Sequence, residues 1–263
     1  MWVKLIKKLS EESFCEEIII FDKNQAVKDI LLVGNGNVAF HLKKVLRKAG
    51  YHISENSDEE DFDIVIFSIS DDAYTGAIAS FKHRNKIMVH TSGSVPATIF
   101  KGKTEKYGVI YPYQSISKND KLLDFKKIPL LITASDEKTE KILVELSSTI
   151  SDTVKIISDN QRMKLHLAAV FANNFTNHMI AIAQKLAHEN NLDAALLQPL
   201  LEKTFLRLKH HLATDMQTGP AVRNDNTIIE KHLKLLEEYP AWQKIYSFVS
   251  ESIKESKKIN EKF

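Results

Sequence analysis

The sequence predicts an open α/β domain with a mostly parallel sheet, followed by an all-helical domain. In the first half of the 263-residue chain, short apolar runs alternate with stretches of helical periodicity. Several of these runs are continuous, which is typical of strands buried on both faces of a parallel sheet. After Asp159 the apolar spacing is helical and no convincing strand follows. Because this length suits two domains, we predict an N-terminal extension over residues 1–27, the α/β domain over 28–157 and the helical domain over 158–263.

Seven strands are predicted in the α/β domain. They span Ile30–Val33, Tyr51–Ser54, Asp63–Ile69, Lys86–His90, Gly108–Tyr111, Ile128–Thr133 and Val154–Ile157. Helical spacing predicts helices over 38–49 and 135–150 in this domain, and over about 160–190, 193–213, 226–238 and 241–258 after it. We expect Pro199 to kink or restart the second of these later helices. In the extension, the pattern predicts a short helix over Met1–Ser10 and a strand over Glu16–Phe21.

The composition is that of an ordinary globular protein and argues against several classes. The net charge of +2 is too small to indicate a nucleic-acid partner, and no basic stripe with interleaved aromatic residues is present. The one cysteine, Cys15, excludes an internal disulfide and fits a reducing compartment. The basic N-terminus is not followed by a long apolar core and a small-residue cleavage site, so no signal peptide is expected. We therefore expect a cytoplasmic protein.

A glycine-rich turn lies between the first predicted strand and the first predicted helix. Its sequence is Gly34-Asn35-Gly36-Asn37-Val38-Ala39. In a strand–turn–helix unit, the first glycine makes the tight turn and the second lets the backbone approach a phosphate, while the third position must be small for close packing. The unpaired N–H groups and the positive end of the helix dipole favour an anion. This context predicts a dinucleotide-binding turn, and an ordinary tight turn is the alternative.

The stretch Leu165–Gln184 contains no Asp, Glu, Lys or Arg. A surface helix would carry several such residues, and the polar side chains make a membrane span costly. We therefore expect a helix that is buried between domains or between subunits. At about 100° per residue, His166, Asn173 and Asn177 lie on nearly the same side. Buried polar groups without partners cost roughly 1–3 kcal/mol each, so these residues indicate either a polar network or a ligand site.

Two loops carry further candidate binding residues. Thr91, Ser92 and Ser94 follow the predicted strand Lys86–His90. Ligands of open α/β sheets bind outside the carboxyl ends of the strands, so these hydroxyls are candidates for holding a substrate or a nicotinamide, with an ordinary turn and helix cap as the alternative. In the second loop, Arg223 could bind a carboxylate through both of its terminal nitrogens. Taken alone, that loop is better explained as an interhelical turn.

Five runs of the sequence together resemble a known group of proteins. They are GNGNVA from Gly34, VHTSGS from Val89, YPYQ from Tyr111, HLAAVFANNF from His166, and TGP at 218–220 with Arg223 and Asp225. They are similar to the Rossmann-like proteins whose C-terminal half is the domain of unknown function 2520, distant relatives of pyrroline-5-carboxylate reductase and of the 6-phosphogluconate and β-hydroxyacid dehydrogenases. The resemblance covers about residues 28–253. It implies a Rossmann domain that binds NADP or NAD, a helical domain similar to the C-terminal domain of 6-phosphogluconate dehydrogenase, and a homodimer.

The resemblance also implies roles for individual residues. The dehydrogenase relatives carry a lysine and asparagines on the long helix, where this chain offers His166, Asn173 and Asn177 and no lysine. His166 would then donate the proton, because an imidazole is the side chain best suited to proton transfer near neutral pH, and the two asparagines would orient the substrate. The cofactor pyrophosphate would be met by the turn residues Gly34, Asn35, Gly36, Asn37 and Val38.

The segment that would hold the adenosine is short. Only Tyr51 to Phe62 lie between the first helix and the strand Asp63–Ile69, and a parallel crossover needs about a dozen residues by itself. The usual second helix is therefore expected to be reduced or absent. An acid about 20 residues beyond the glycines normally binds the ribose hydroxyls, whereas an arginine favours a 2′-phosphate. Glu55 and Asp58 lie near that position, so NAD is possible as well as NADP.

The hypothesis that follows is an NAD(P)-dependent oxidoreductase-like protein. It would transfer a hydride between the nicotinamide and a small carbonyl or imine substrate that is bound between the domains. The alternative is a non-catalytic dinucleotide-binding sensor or interaction protein, which the short adenosine segment and the missing lysine favour. A metal-dependent hydrolase built on His210, His211 and Asp215 is disfavoured, because adjacent histidines on a helix face different directions. No metal, nucleic-acid or membrane partner is predicted.

Overall fold

The computed structural model describes residues 27–56 and 61–260. The predicted helix Met1–Ser10, the predicted strand Glu16–Phe21 and the candidate ribose ligand Asp58 lie outside the described residues. The chain divides into two compact units, the first ending at Ala169 and the second beginning at Val170. The predicted domain limits stay predictions.

Within the described residues, seven strands form one sheet in the first unit. They are β1 Asp29–Val33, β2 His52–Ser54, β3 Ile64–Phe67, β4 Ile87–His90, β5 Tyr107–Pro112, β6 Leu130–Ala134 and β7 Val154–Ile156. The strand order is β2-β1-β3-β4-β5-β6-β7. Neighbouring strands are parallel except β5 and β6, which are antiparallel. The predicted strands and the mostly parallel α/β sheet are confirmed.

Helices cover both faces of this sheet. They are α1 Asn37–Lys48, α2 Tyr74–Ser80, α3 Glu137–Ser148 and α4 Asp159–Ala169, with 3₁₀ helices at Asp71–Ala73, Ala97–Phe100 and Phe125–Lys127. α2 is not among the predicted helices, because 7 residues are too few to display a helical period. None of the described residues between β2 and β3 is helical, and residues 57–60 of this segment lie outside the described part. The expectation that the second helix is reduced or absent stays a prediction.

The core explains why the strand runs are continuous in sequence. Successive side chains of a strand point to opposite faces of the sheet. Ile30 and Leu32 of β1 therefore join one apolar cluster, to which α1 contributes Leu42 and Leu46. Leu31 joins a second cluster on the other face. Because both faces are covered, every position of a central strand favours an apolar residue, and the carboxyl ends of the strands are left as the open edge.

Within its described residues, the regular secondary structure of the second unit is all helical, as predicted. A π-helical segment, Val170–Phe175, follows α4 and leads into α5 Thr176–Glu189. The later helices are α6 Gln198–Arg207, α7 Asn226–Leu235 and α8 Pro240–Asn260, with 3₁₀ helices at Ala194–Leu197 and Ala213–Met216. Pro199 lies in the first turn of α6, where its missing N–H costs nothing, so it restarts the helix as one of the two expected outcomes. None of the described helices has the length and apolar character needed to cross a membrane.

Leu165–Gln184 is not buried within the single chain, so burial between subunits, the other expected possibility, stays a prediction. Phe171 is 61% exposed, and Asn173 and Asn177 are exposed as well. The expected alignment of His166 with the two asparagines assumed a regular α-helix. A π-helix has more residues per turn than an α-helix, so the spacing of about 100° per residue does not hold through the intervening π-helical segment.

Candidate functional site

A pocket of about 630 Å³ opens in the first unit at the carboxyl ends of β1, β3 and β4. Strand order reverses here, because the chain passes from β1 outward to β2 and then returns to β3 on the other side of β1. Such a switch point is where open α/β sheets bind ligands. The pocket is lined by the glycine-rich turn, by the loops after β3 and β4, and by His166. Several residues that the sequence analysis singled out separately thus lie together.

The two glycines of the turn serve different purposes. Gly34 has φ +131°, and a Cβ there would overlap the backbone oxygen of Ser68. The fold itself therefore requires glycine at position 34. Gly36 has φ −76° with extended backbone, which any residue can adopt, and a Cβ there would meet nothing within 4 Å. The fold does not require glycine at position 36. Because this residue has no side chain, the wall of the pocket is formed there by the backbone alone.

The N-terminus of α1 fits an anionic group. Gly36 is the N-cap residue, no side chain caps the helix, and its first turn contains no acidic residue. The first N–H groups of a helix have no intrahelical partner, and the dipole adds partial positive charge there. The helix begins at the pocket wall, so these donors fit a diphosphate without a basic side chain.

Glu55 lies just beyond β2, at the position predicted for a ribose ligand. Its carboxylate forms an ion pair with Lys43, 2.8 Å away, and lies 3.7 Å from a terminal nitrogen of Arg47. Both cations come from α1, one turn apart. Neither cation is among the predicted site residues, because the arginine expected for a 2′-phosphate would follow β2 rather than lie on the preceding helix α1. The role of Glu55 as a ribose ligand stays a prediction.

The loop after β4 is held by a buried histidine. The N–H of Ser92 donates to Nδ1 of His90 over 3.2 Å, so the ring proton lies on Nε2, which donates to the carbonyl oxygen of Pro96 over 3.4 Å. The hydroxyl oxygen of Ser92 accepts N–H bonds from Ser94 and Val95, each 3.1 Å long. These bonds match the turn-and-cap alternative for Ser92.

The other hydroxyls of this loop connect it to the loop after β3. Thr91 donates to the hydroxyl of Ser68 over 3.1 Å, and Ser94 donates to the carboxylate of Asp71. Thr91 and Ser92 line the pocket together with Asp71. The substrate-binding roles of Thr91, Ser92 and Ser94 stay predictions.

His90 should make the stability of the protein depend on pH. Burial, followed by the charge of Arg162, lowers its pKa from 6.5 to about 4. The unfolded chain therefore binds more protons than the folded protein between these values, and stability falls as the pH drops from about 6.5 to 4. A shift of this size corresponds to about 3 kcal/mol. Urea unfolding at several pH values should show a flatter dependence for His90→Gln than for the wild type. The exposed control His188→Gln should keep the wild-type slope, and equal slopes for both variants would contradict this assignment.

A buried arginine clamps α4 to the sheet. Arg162 is 1% exposed, and its Nη1 lies 2.6 Å from Asp159 Oδ1 and 2.8 Å from Thr133 Oγ1. Its Nη2 donates to the carbonyl oxygen of Val95, and Asp159 also accepts the N–H of Ala97 over 3.0 Å. This pair is not among the predicted site residues, because an acid and an arginine three residues apart at the start of a helix are typical of a surface ion pair.

His166 lies one helical turn after this clamp and reaches the pocket. Its Nδ1 is 3.0 Å from the hydroxyl of Tyr111. A Cβ on Gly93 would lie 2.6 Å from that Nδ1 and 2.8 Å from Cζ of Tyr111, so the loop after β4 packs directly on both rings. Across the described residues, no hydrogen bond to Nε2 of His166 is found.

The remaining predicted site residues lie in the second unit. Asn173 donates to the side-chain oxygen of Asn174 over 3.3 Å, and Asn177 is exposed. Arg223 is exposed in the turn before α7. Asp225 caps that helix by accepting the N–H of Ile228 over 3.2 Å. The roles of these residues stay predictions. In the part of the chain that the structure describes, no cluster of three metal-ligating side chains is found.

Comparison with known proteins places the chain in a family. A proposed NADP oxidoreductase from Bacteroides fragilis is 34% identical, with a TM-score of 0.79 over 87% of this chain and 98% of that one. The chain belongs to the family of this protein. The family described as a domain of unknown function (DUF2520) matches residues 128–253, which confirms that part of the resemblance. No curated protein matches the chain.

More distant structures share the fold of this family member. The reductive aminase from Aspergillus terreus, in complex with NADPH and ethyl levulinate, is 12% identical with a TM-score of 0.63, over 89% of this chain and 95% of that one. The imine reductase from Myxococcus stipitatus, in complex with NADP+, is 14% identical with a TM-score of 0.55, over 89% of this chain and 94% of that one. At these identities the likeness shows the fold alone. The expected relation to pyrroline-5-carboxylate reductase and 6-phosphogluconate dehydrogenase stays a prediction.

Proposed function

We propose that this protein is an NAD(P)-dependent oxidoreductase that transfers a hydride between the nicotinamide and a small carbonyl or imine substrate. The observation that carries the proposal is the open space over Gly36 at the uncapped start of α1, in a pocket that His166 also lines. The Bacteroides fragilis relative is described as a proposed NADP oxidoreductase. Two proteins of the same fold bind NADP+ or NADPH and act on imines or amines by their names.

The chain would hold the cofactor mainly through its backbone. The N–H groups at the start of α1 would bind the diphosphate, and Gly36 would let it approach. When bound, the nicotinamide supplies or accepts the hydride. His166 would move the accompanying proton at Nε2, the ring nitrogen left without a hydrogen bond among the described residues, because Nδ1 is bonded to Tyr111. Nε2 is a donor on the charged ring and on one neutral tautomer.

Both NADP and NAD are compatible with the end of β2. Glu55 could bind ribose hydroxyls if its carboxylate left Lys43. Alternatively, Lys43 and Arg47 could approach a 2′-phosphate, since both already lie beside Glu55. The proposal therefore includes either dinucleotide, and the titration below uses both.

We include a homodimer in the proposal. The single chain exposes large apolar side chains of the second unit, among them Phe171 at 61% and Phe248 at 71%. Exposed apolar area of this kind marks surfaces that are covered by a partner. Light scattering should therefore give about twice the mass of the chain, and the mass of one chain would contradict the dimer.

Gly36→Val should abolish cofactor binding without weakening the fold. The backbone conformation suits valine, and beyond the two neighbouring residues no heavy atom lies within 4 Å of the new Cβ, but the side chain would enter the pocket that the diphosphate needs. A ligand that binds only the folded state raises the melting temperature. We expect NADPH or NADH to stabilise the wild type, and Gly36→Val to unfold at the wild-type temperature without cofactor and to show no shift with it.

Gly76→Val is the matched control for this experiment. Gly76 lies in α2, and a Cβ there also meets nothing within 4 Å, but this residue does not line the pocket. Its variant should keep the cofactor-induced shift. The proposal is wrong if neither dinucleotide stabilises the wild type, or if Gly36→Val responds as strongly as the control.

A substrate panel separates an enzyme from a sensor. NADPH and NADH consumption should be followed with oxo acids and with cyclic imines, because an imine and a carbonyl both accept a hydride and a proton. Consumption with a member of either class supports the oxidoreductase. Tight binding of the dinucleotide without consumption across both classes supports the non-catalytic alternative.

A further inference from the structure

Tyr111 contacts the candidate proton donor from a strand beside the pocket. Its hydroxyl lies 3.0 Å from Nδ1 of His166, and the two rings meet edge to face with centroids 5.9 Å apart. Tyr111 belongs to β5, which is paired on both sides with β4 and β6. The hydroxyl is therefore mounted on a rigid element, and the bond to Nδ1 leaves Nε2 as the nitrogen that can meet a ligand.

We propose that Tyr111 is a positioning residue that keeps the His166 ring in one orientation, with Nε2 toward the pocket, in both of its protonation states. A tyrosine hydroxyl can donate and accept a hydrogen bond. It accepts from the Nδ1–H of the charged ring and of the neutral ring that has given up its Nε2 proton, and it donates to Nδ1 of the other neutral tautomer, which carries its proton on Nε2. The bond to Tyr111 is therefore kept in every protonation state of the ring, so the ring can lose or regain the Nε2 proton without rotating. This inference rests on the proposed function, because it concerns the same proton.

The proton balance of the step follows from this arrangement. When the charged ring donates to the substrate, the Nε2–H bond breaks and a new bond forms at the substrate nitrogen or oxygen. The ring becomes neutral and keeps its other proton on Nδ1, bonded to the oxygen of Tyr111. Solvent then returns a proton to Nε2. A neighbour that only accepts hydrogen bonds, such as a carboxylate, would instead leave Nδ1 without a partner in the neutral tautomer that carries its proton on Nε2.

Two contacts restrain the pair. A Cβ on Gly93 would lie 2.6 Å from Nδ1 of His166 and 2.8 Å from Cζ of Tyr111, so the loop after β4 closes directly over both rings. The hydroxyl of Tyr113 donates to the backbone oxygen of Leu165 over 3.0 Å. That bond fixes α4 at the residue before His166. The rings of Tyr111 and His166 therefore cannot rotate freely.

The hydroxyl of Tyr111 keeps its proton at neutral pH. Burial raises its pKa above the ordinary value of 10.0, and the groups that act on it electrostatically are Tyr113, Arg162 and Asp71. Tyr113 and Asp71 also raise the pKa, whereas Arg162 lowers it. Because the net direction is upward, Tyr111 is available as a donor to the neutral imidazole.

Tyr111→Phe tests the inference because it keeps the ring and removes only the hydroxyl. Nitrogen NMR of the full chain without cofactor should show neutral His166 with its proton mainly on Nε2 in the wild type. In Tyr111→Phe the population with the proton on Nδ1 should rise. Turnover should fall by about 10- to 100-fold, as when an outer hydrogen bond that orients a functional histidine is removed, with an unchanged KM for NADPH.

Tyr113→Phe is the control for a general loosening of α4. It removes the bond to Leu165 but leaves the bond between Tyr111 and His166, so the wild-type tautomer should persist. An unchanged tautomer in Tyr111→Phe overturns the inference, even if the enzyme is active. If no hydride transfer is found in the wild type but the tautomer shifts in Tyr111→Phe alone, the positioning role stands and the proposed function fails.

Discussion

His166→Gln should lower the turnover of hydride transfer by about 10²- to 10⁴-fold, the usual contribution of a positioned general acid. His166 lines the pocket together with the glycine-rich turn, and glutamine can fill a similar space but cannot deliver a proton at neutral pH. Cofactor affinity should stay nearly the same, because the proposed diphosphate contacts come from α1. Steady-state kinetics with the best substrate of the panel, together with NADPH titration, measures both quantities.

The control for this variant is His188→Gln. His188 is exposed near the end of α5, away from the pocket lining, so its replacement should leave turnover and cofactor affinity unchanged. Turnover of His166→Gln equal to that of the wild type would remove His166 from the mechanism. A parallel loss of cofactor affinity would mean that the residue shapes the pocket rather than supplies the proton.

Arg162→Met should lower the free energy of unfolding by about 3 kcal/mol, the low end of the cost of breaking a buried ion pair, because the Asp159 side chain that it leaves behind is 31% exposed. Arg162 is 1% exposed, and its loss would leave Asp159 without its cation and remove the donors to Thr133 and Val95. The start of α4 and the loop after β4 would then lose their common anchor. Urea unfolding measures the change, provided that the slope of the transition stays constant.

Arg47→Met is the exposed counterpart. Its side chain is 52% exposed and lies 3.7 Å from Glu55, so its ion pair should contribute no more than about 1 kcal/mol. The double variant Arg162→Met with Asp159→Asn should recover part of the loss, since it no longer leaves a partly buried carboxylate without its cation. Equal destabilisation by Arg162→Met and Arg47→Met would show that the buried pair is not a clamp.

Local sequence patterns were sufficient for much of the fold. The strands of the sheet could be predicted because a parallel strand covered on both faces has an apolar residue at nearly every position, as in β3, whose four residues are all buried. The helical second unit could be predicted from its apolar spacing. The reversal between β5 and β6 could not, because the direction in which two strands pair leaves no periodic signal in either one.

The site was only partly predictable for the same reason. The sequence indicated the glycine-rich turn, the loop after β4 and His166 as separate features. It did not indicate α2, whose 7 residues are too few, nor the π-helical segment Val170–Phe175, which invalidates the regular spacing used for Asn173 and Asn177. The lack of charge in Leu165–Gln184 predicted burial but not the surface that would cover the helix, because composition carries no information about the partner.

The sequence by itself determined the seven strands of the first unit, the helical second unit and the strand–turn–helix unit that points to a dinucleotide. Only the tertiary structure decided that Gly34 is required by the fold while Gly36 leaves space for a ligand. It also decided that Tyr111 bonds to His166 from 55 positions away. The physical reason is that periodicity reports how a segment meets its own surroundings, whereas these contacts depend on how β1, β3, β5 and α4 pack against one another.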